Sequence, residues 1–353
     1  MTMQNERNIR ALEFFHEGQC IPAIPLVLTE DRQFDAEGQR KLVRYYLESG
    51  VGGIAIGVHT TQFAIRDPEH GLFEEVLQIT VDEINAYEAA NDRMVLKVAG
   101  AVGPTEQAVA EAELAKAMGF DLVLLSIGGL NDRSEAYLVE RTAAVAEVIP
   151  VIAFSMQVAV GGRIFSHDYW KQIAATEGVV GVKAAPFNRY ETINIARAVA
   201  LSERKDAITL YTGNDDNIIV DLLTPFRFRD ADGEWQEIAI KGGLLGQWSA
   251  WTEGAVRLFD ELKAIRTSGQ QEIPLELLTR AAWLTEANAA LFDPENDFAG
   301  CIPGVHQALV DDGHMAGIWT LDPQETLSPG QLDAIRRVQA DYPVLLDEPG
   351  QTP

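Results

Sequence analysis

The stretch Thr105-Glu106-Gln107-Ala108-Val109-Ala110-Glu111-Ala112-Glu113-Leu114-Ala115-Lys116-Ala117-Met118-Gly119-Phe120-Asp121-Leu122-Val123-Leu124-Leu125-Ser126 holds both halves of a repeating unit. Ala108, Ala112 and Ala115 recur at i, i+4 and i+7, which lines them along one helix face while Glu106, Glu113 and Lys116 face out. Thr105 reads as the N-cap. Gly119 reads as the stop, because glycine enters the left-handed conformation without a Cβ penalty. Asp121–Ser126 is then a short, nearly continuous apolar run, the pattern of a parallel strand covered on both faces.

Working outward, the same kind of run recurs at Ile21–Val27, Gly53–Gly57, Met94–Ala99, Ile149–Phe154, Val179–Lys183, Ala207–Tyr211 and Leu244–Trp248. With Asp121–Ser126 these make eight, starting 27–41 residues apart, the length of a strand plus its crossover helix. Asp35 is placed to cap a helix through Leu42, Val43, Tyr46 and Leu47, with Gly50 as its stop. Eight such units predict an α/β fold, a (β/α)8 TIM barrel, with a doubly wound open sheet as the alternative. Beyond the eighth run the pattern turns helical, at 253–267, 274–291 and 329–340. The expected organisation is a barrel over 1–252, the last barrel helix and C-terminal helices over 253–345, and a disordered tail over 346–353. Alternation around Asp232-Gly233 within 226–238 predicts a β-hairpin inserted before the eighth strand.

The 28 Lys+Arg against 53 Asp+Glu give a net charge of −25. Phosphate backbones and anionic lipid surfaces both need cationic protein faces, so neither nucleic acid nor a membrane is an expected partner. Cys20 and Cys301 are the only cysteines, which excludes a disulfide framework and a zinc ribbon. The polar start Met1–Arg7 lacks a signal-peptide core, and no apolar run approaches the ~18 residues of a membrane span. The expected location is cytoplasmic.

Barrels of this class work at the C-terminal ends of their strands. There, Lys183 closes the apolar run Val179–Lys183. A desolvated lysine has a depressed pKa and an amine free to attack a carbonyl; the competing reading is a lysine whose stem packs while its ammonium reaches the surface. Lys97 is a rival placed deeper in its strand. Gly57-Val58-His59-Thr60-Thr61-Gln62 leaves the second strand with N–H and hydroxyl groups suited to a carboxylate, and His59 is a candidate acid/base. The pair Asp215-Asp216 is a weak metal candidate, since adjacent side chains in extended chain diverge; His167, His306 and His314 lack ligand spacing. No metal site is expected.

Taken together, several stretches resemble the dihydrodipicolinate synthase / N-acetylneuraminate lyase family. They are Ile21-Pro22-Ala23-Ile24-Pro25-Leu26, Ser49–Ile54 leading to Gly57, Glu69-His70, Ala117–Leu124, Gly181-Val182-Lys183-Ala184-Ala185 and Gly213-Asn214-Asp215-Asp216. The resemblance spans Cys20 to Tyr342 and makes Lys183 the Schiff-base lysine. It implies a class I lyase, an aldolase or hydro-lyase, acting on pyruvate or another 2-oxo acid or sugar acid. It further implies no cofactor beyond the lysine imine, and a homo-oligomer, dimer or tetramer.

Departures accompany it. The family's G-T-T-G-E loop appears as Gly57-Val58-His59-Thr60-Thr61, so Val58, Thr60 and Thr61 are the implied carboxylate-binding positions, with His59 beside them. The proton-relay tyrosine falls on Phe154, and the P-Y-Y stretch is replaced by Ile127-Gly128-Gly129. Arg163 stands near the family arginine after strand five, and Leu245 near the G-V-I-S match Gly243-Leu244-Leu245-Gly246. Without the tyrosine, His59, Tyr211 or water must move protons. The alternative is a non-catalytic barrel of the family that lost turnover and serves as a binding or regulatory protein.

Overall fold

Helix-strand alternation continues almost from end to end in a computed structural model that describes residues 3–270 and 272–347. Eight parallel strands, each followed by a helix, establish the expected (β/α)8 fold, with further helices appended at the C-terminal side. The elements group into two units. One comprises the residues up to Gln19, Leu96–Asn214 and Val220–Leu244; the other comprises Cys20–Val95, Asp215–Ile219 and the residues from Leu245 onward.

The first unit opens with α1 (Met3–His16), a helix that the polar N-terminal sequence did not announce. The second supplies β1 (Cys20–Pro22), α2 (Ala36–Glu48), β2 (Gly53–Ile56) and α3 (Phe73–Asn91). The first resumes with β3 (Leu96–Ala101), α4 (Thr105–Met118), β4 (Leu122–Leu125), α5 (Glu135–Ala146), β5 (Val151–Met156), α6 (His167–Ala175), β6 (Val179–Ala185), α7 (Arg189–Ala200) and β7 (Thr209–Thr212). After α8 (Ile218–Leu223) come β8 (Pro225–Arg229) and β9 (Trp235–Leu245). Then follow α9 (Thr252–Thr267), α10 (Glu276–Phe292), α11 (Cys301–Asp311) and α12 (Gln331–Asp341).

In the first unit β3-β4-β5-β6-β7-β9 are hydrogen-bonded in that order and parallel. Their central strands are buried on both faces, which explains the apolar runs. Across β5, β6 and β7 the register sets Phe154 beside Lys183 and Lys183 beside Tyr211. Phe15 of α1 stacks on Tyr211 with centroids 4.5 Å apart, and a Cβ on Gly181 would come within 2.7 Å of that Phe15 ring. Glycine at 181 is therefore what lets α1 seat Phe15.

Several expectations needed correction. Thr105 is the first residue of α4 rather than its N-cap. Pro104 holds that position, and Thr105 instead donates its N–H to the Tyr137 hydroxyl. Asp35 does cap α2, accepting from Gly38 N–H, and Gly119 ends α4 at φ 90°. The eighth strand is not Leu244–Trp248. It is β9, which starts at Trp235 and runs as one strand from the predicted hairpin into the sheet; Gln247–Ser249 is a 3-10 turn. The hairpin turn closes through Asp230 and Gly233, the latter at φ 85°.

Helix α11 had no place in the sequence reading because Pro303 and Gly304 interrupt its first turns. The glycine is what the packing requires: a Cβ there would lie 1.9 Å from the Leu291 carbonyl oxygen of α10. At the C-terminal end, the Leu346 carbonyl accepts from Arg257 and the Asp347 carboxylate accepts from Tyr45 and from Gly254 N–H. The remainder of the expected tail, 348–353, lies outside the described residues.

Candidate functional site

Lys183 is 8% exposed, near the C-terminal end of β6 and two residues before its close. Its Nζ lies 4.3 Å from the centroid of the Phe154 ring. A neutral amine, or an ammonium attracted to the π-face, is accommodated there. Space for the side chain comes from Gly213, directly after β7, where a Cβ would fall 2.5 Å from Lys183 Cε. The sequence alone gives Gly213 no such role; a glycine directly after an apolar strand is its only signal.

The same turn is held by a buried polar network. The Asp221 carboxylate, with no exposed surface, accepts from the Thr212 hydroxyl at 2.7 Å and from Asn214 Nδ2 at 2.9 Å, and pairs with Arg189. Asn214 Oδ1 in turn accepts from Phe187 N–H. Buried groups satisfied this completely fix the backbone that carries them. Here that backbone keeps Gly213 against the lysine.

Tyr211, abreast of Lys183, is committed elsewhere. Its hydroxyl donates to the Phe15 carbonyl at 2.7 Å and accepts from Gln19 N–H at 3.1 Å. Lys97 is buried in the second position of β3, and the Asp121 carboxylate accepts its backbone N–H. That places it four residues from the strand end, deeper than the two implied by the run Met94–Ala99, because β3 extends to Ala101. Arg163 donates to the carbonyls of Asn131 and Arg133 and so ties the loop after β5 to the loop after β4.

In the second unit, Gly57 at φ 72° turns the chain out of β2 into a short 3-10 turn, His59–Thr61. The two threonines divide the work. Thr61 is fully buried; its hydroxyl donates to the Ile24 carbonyl at 2.8 Å and accepts from Gly57 N–H at 3.0 Å. Both capacities are consumed in holding the turn. Among the described residues no such bond engages the Thr60 hydroxyl, which points toward Gly246: a Cβ on Gly246 would lie 3.7 Å from it and 3.4 Å from the Phe292 ring. Val58 is buried, and His59 is partly exposed with its ring edge-on to Phe63 at 6.0 Å. Leu245 ends β9, and its carbonyl accepts from Ala23 N–H.

The acidic pair is structural in its recorded contacts. Asp215 accepts from Gln247 N–H through its carboxylate and from Asn288 Nδ2 through its carbonyl, and the Asp216 carbonyl accepts from Thr285. Among the described residues no three His, Cys, Asp or Glu side chains converge as a metal would need, and no helix is long and apolar enough to cross a membrane.

The model of the dihydrodipicolinate synthetase family matches residues 17–224. The 4-hydroxy-tetrahydrodipicolinate synthase of Methanothermobacter thermautotrophicus is 26% identical over 300 residues, covering 81% of this chain and 99% of that protein. Among solved structures, the dihydrodipicolinate synthase of Acinetobacter baumannii complexed with pyruvate superposes with a TM-score of 0.72 at 18% identity, covering 93% of this chain and 99% of that one. The N-acetylneuraminate lyase of Fusobacterium nucleatum does so with 0.69 at 14% identity, with the same coverage.

Proposed function

Because this chain belongs to the dihydrodipicolinate synthetase family, we propose that it is a class I lyase that binds pyruvate or a related 2-oxo acid as an imine of Lys183. The observation that carries the reading is the lysine itself, buried near the end of β6 in a space that Gly213 keeps open. The neutral Nζ adds to C2 of the 2-oxo acid, and the carbinolamine takes up a proton and loses its hydroxyl as water. The iminium nitrogen then accepts the electron pair released when a C3–H or C3–C4 bond breaks. Cleavage, condensation and dehydration all draw on that electron sink, and none needs a cofactor or a metal.

The carboxylate is assigned to the turn after β2. With the Thr61 hydroxyl consumed, Thr60 is the side chain we assign to donate to it, alongside the backbone at Val58. Phe154 serves as an apolar wall beside the lysine, Leu245 is a further apolar position that the resemblance implies, and Arg163 braces the loop after β5 against the loop after β4. Proton transfer falls to His59 or to water, since Phe154 carries no exchangeable proton and the Tyr211 hydroxyl is held by α1. The resemblance also supports a homo-oligomer, which light scattering would check.

Phe154 also favours a second reading, a barrel that binds 2-oxo acids without turnover. Borohydride reduction in the presence of pyruvate, followed by peptide mass spectrometry, tests the first. A reduced pyruvyl adduct on Lys183 is the expected result. An adduct on Lys97 would move the chemistry to β3, and no adduct across a panel of longer 2-oxo acids would overturn imine formation. An adduct with no turnover of aldehydes or sugar acids would select the second reading.

A further inference from the structure

We infer that the second unit holds a separate binding site for a small carboxylate with an apolar body, in a cavity between α9, α10 and the chain around Val344-Leu345. The cavity has a volume of about 290 Å³, at the small end of ligand pockets. Leu258 of α9, Leu284 of α10, Val344 and Leu345 give it apolar walls, and Arg280 of α10 also lines it.

The chemistry rests on Arg280. Its side chain is 16% exposed, and among the described residues it makes a single hydrogen bond, from Nη2 to the Glu261 carboxylate. Its Nε is buried and has no acceptor. A guanidinium presents five N–H donors in a rigid fork suited to a carboxylate, and a donor shut off from both water and protein is a cost that a bound anion relieves.

The other cation on the wall, Arg257, is already spent on the carbonyls of Leu346 and Asp347. With Glu261 as the one lining carboxylate, the cavity carries a local charge of +1 in a chain of −25. A positive pocket with apolar walls selects an anion that carries a hydrocarbon body. The cavity wall is continuous with the contacts that hold Asp215 and Asp216. Gln247, on the cavity wall, donates its N–H to Asp215, and α10 continues from Arg280 to Thr285 and Asn288, which hold the carbonyls of Asp216 and Asp215.

Hexanoate is a suitable probe, titrated into the whole protein by calorimetry and ligand-observed NMR with pyruvate present at saturation. Saturable one-to-one binding is expected, weakened about tenfold or more in Arg280→Gln. Leu284→Phe, which fills the cavity and leaves Arg280 in place, should weaken it as well and decides the matter if Arg280→Gln does not fold. Hexanol, with the same body and no charge, should bind at least tenfold more weakly than hexanoate. Absent or unsaturable binding, displacement of hexanoate by pyruvate, or unaltered affinity in a folded variant of either kind would overturn the site.

Discussion

Gly213 stands against the side chain of Lys183, with a Cβ at 213 falling 2.5 Å from Lys183 Cε and 2.7 Å from the Ala185 Cβ. The glycine does not occupy the left-handed region, so alanine suits its backbone and the conflict is purely one of space. Gly213→Ala should fold, displace the amine and slow borohydride trapping of pyruvate by something on the order of 10²-fold, the usual result of misplacing a reacting group by about 1 Å. Unchanged trapping kinetics would show that Lys183 has room to spare.

Phe154 lies under the lysine where the resemblance puts a tyrosine. Phe154→Tyr adds a hydroxyl that can move protons during carbinolamine formation and dehydration. General acid–base groups contribute about 10²–10⁴-fold, so single-turnover imine formation with pyruvate should accelerate at least tenfold. A flat response would place the proton relay elsewhere, with His59→Gln as the next variant to measure.

The two threonines after β2 should separate stability from binding. Thr61→Val keeps the shape but leaves Gly57 N–H and the Ile24 carbonyl without their partner. Orphaning buried groups costs about 1–3 kcal/mol, to be read from denaturant unfolding. Thr60→Val should leave stability within about 0.5 kcal/mol and weaken pyruvate binding instead. The reverse pattern would reassign the carboxylate to Thr61.

Acid should weaken the fold through His306. The residue has no exposed surface, and burial holds its imidazole down at about 4, against a smaller opposing pull from the backbone of Ile318 and Trp319. Neither ring nitrogen reaches hydrogen-bonding geometry. Between 6.5 and about 4 the unfolded chain takes up a proton that the folded one refuses, so stability rises with pH across that window and is lost on acidification. At about 1.4 kcal/mol per unit this amounts to about 3 kcal/mol. Unfolding at pH 7.5 and 4.5 should show wild type losing about 2–3 kcal/mol more than His306→Leu; equal losses would mean that His306 protonates in place.

How much of this was legible beforehand varies by element. The β4–α4 region read almost without error because its signals are local: an alanine stripe, a glycine stop and an apolar strand. The hairpin announced itself through Asp232-Gly233, but its second strand was cut short. Alternation in Trp235–Ile240 gives way to a continuous apolar run in Gly242–Leu245, and a period-based reading splits there although the backbone does not. Helix α11 was hidden because Pro303 and Gly304 look like breakers until α10 is seen to press on the glycine.

By itself, the sequence determined most of the succession of strands and helices and the family, and it singled out Lys183 as the candidate for imine chemistry. Each depends on local spacing or on short motifs, which survive in one dimension. Only the tertiary structure decided which polar groups are already spent. Thr61 and Tyr211 looked as available as Thr60, but the Thr61 hydroxyl donates to Ile24, and the Tyr211 hydroxyl donates to Phe15 and accepts from Gln19, across 37, 196 and 192 positions. A hydroxyl has one proton to donate, and no local pattern records where the fold has sent it.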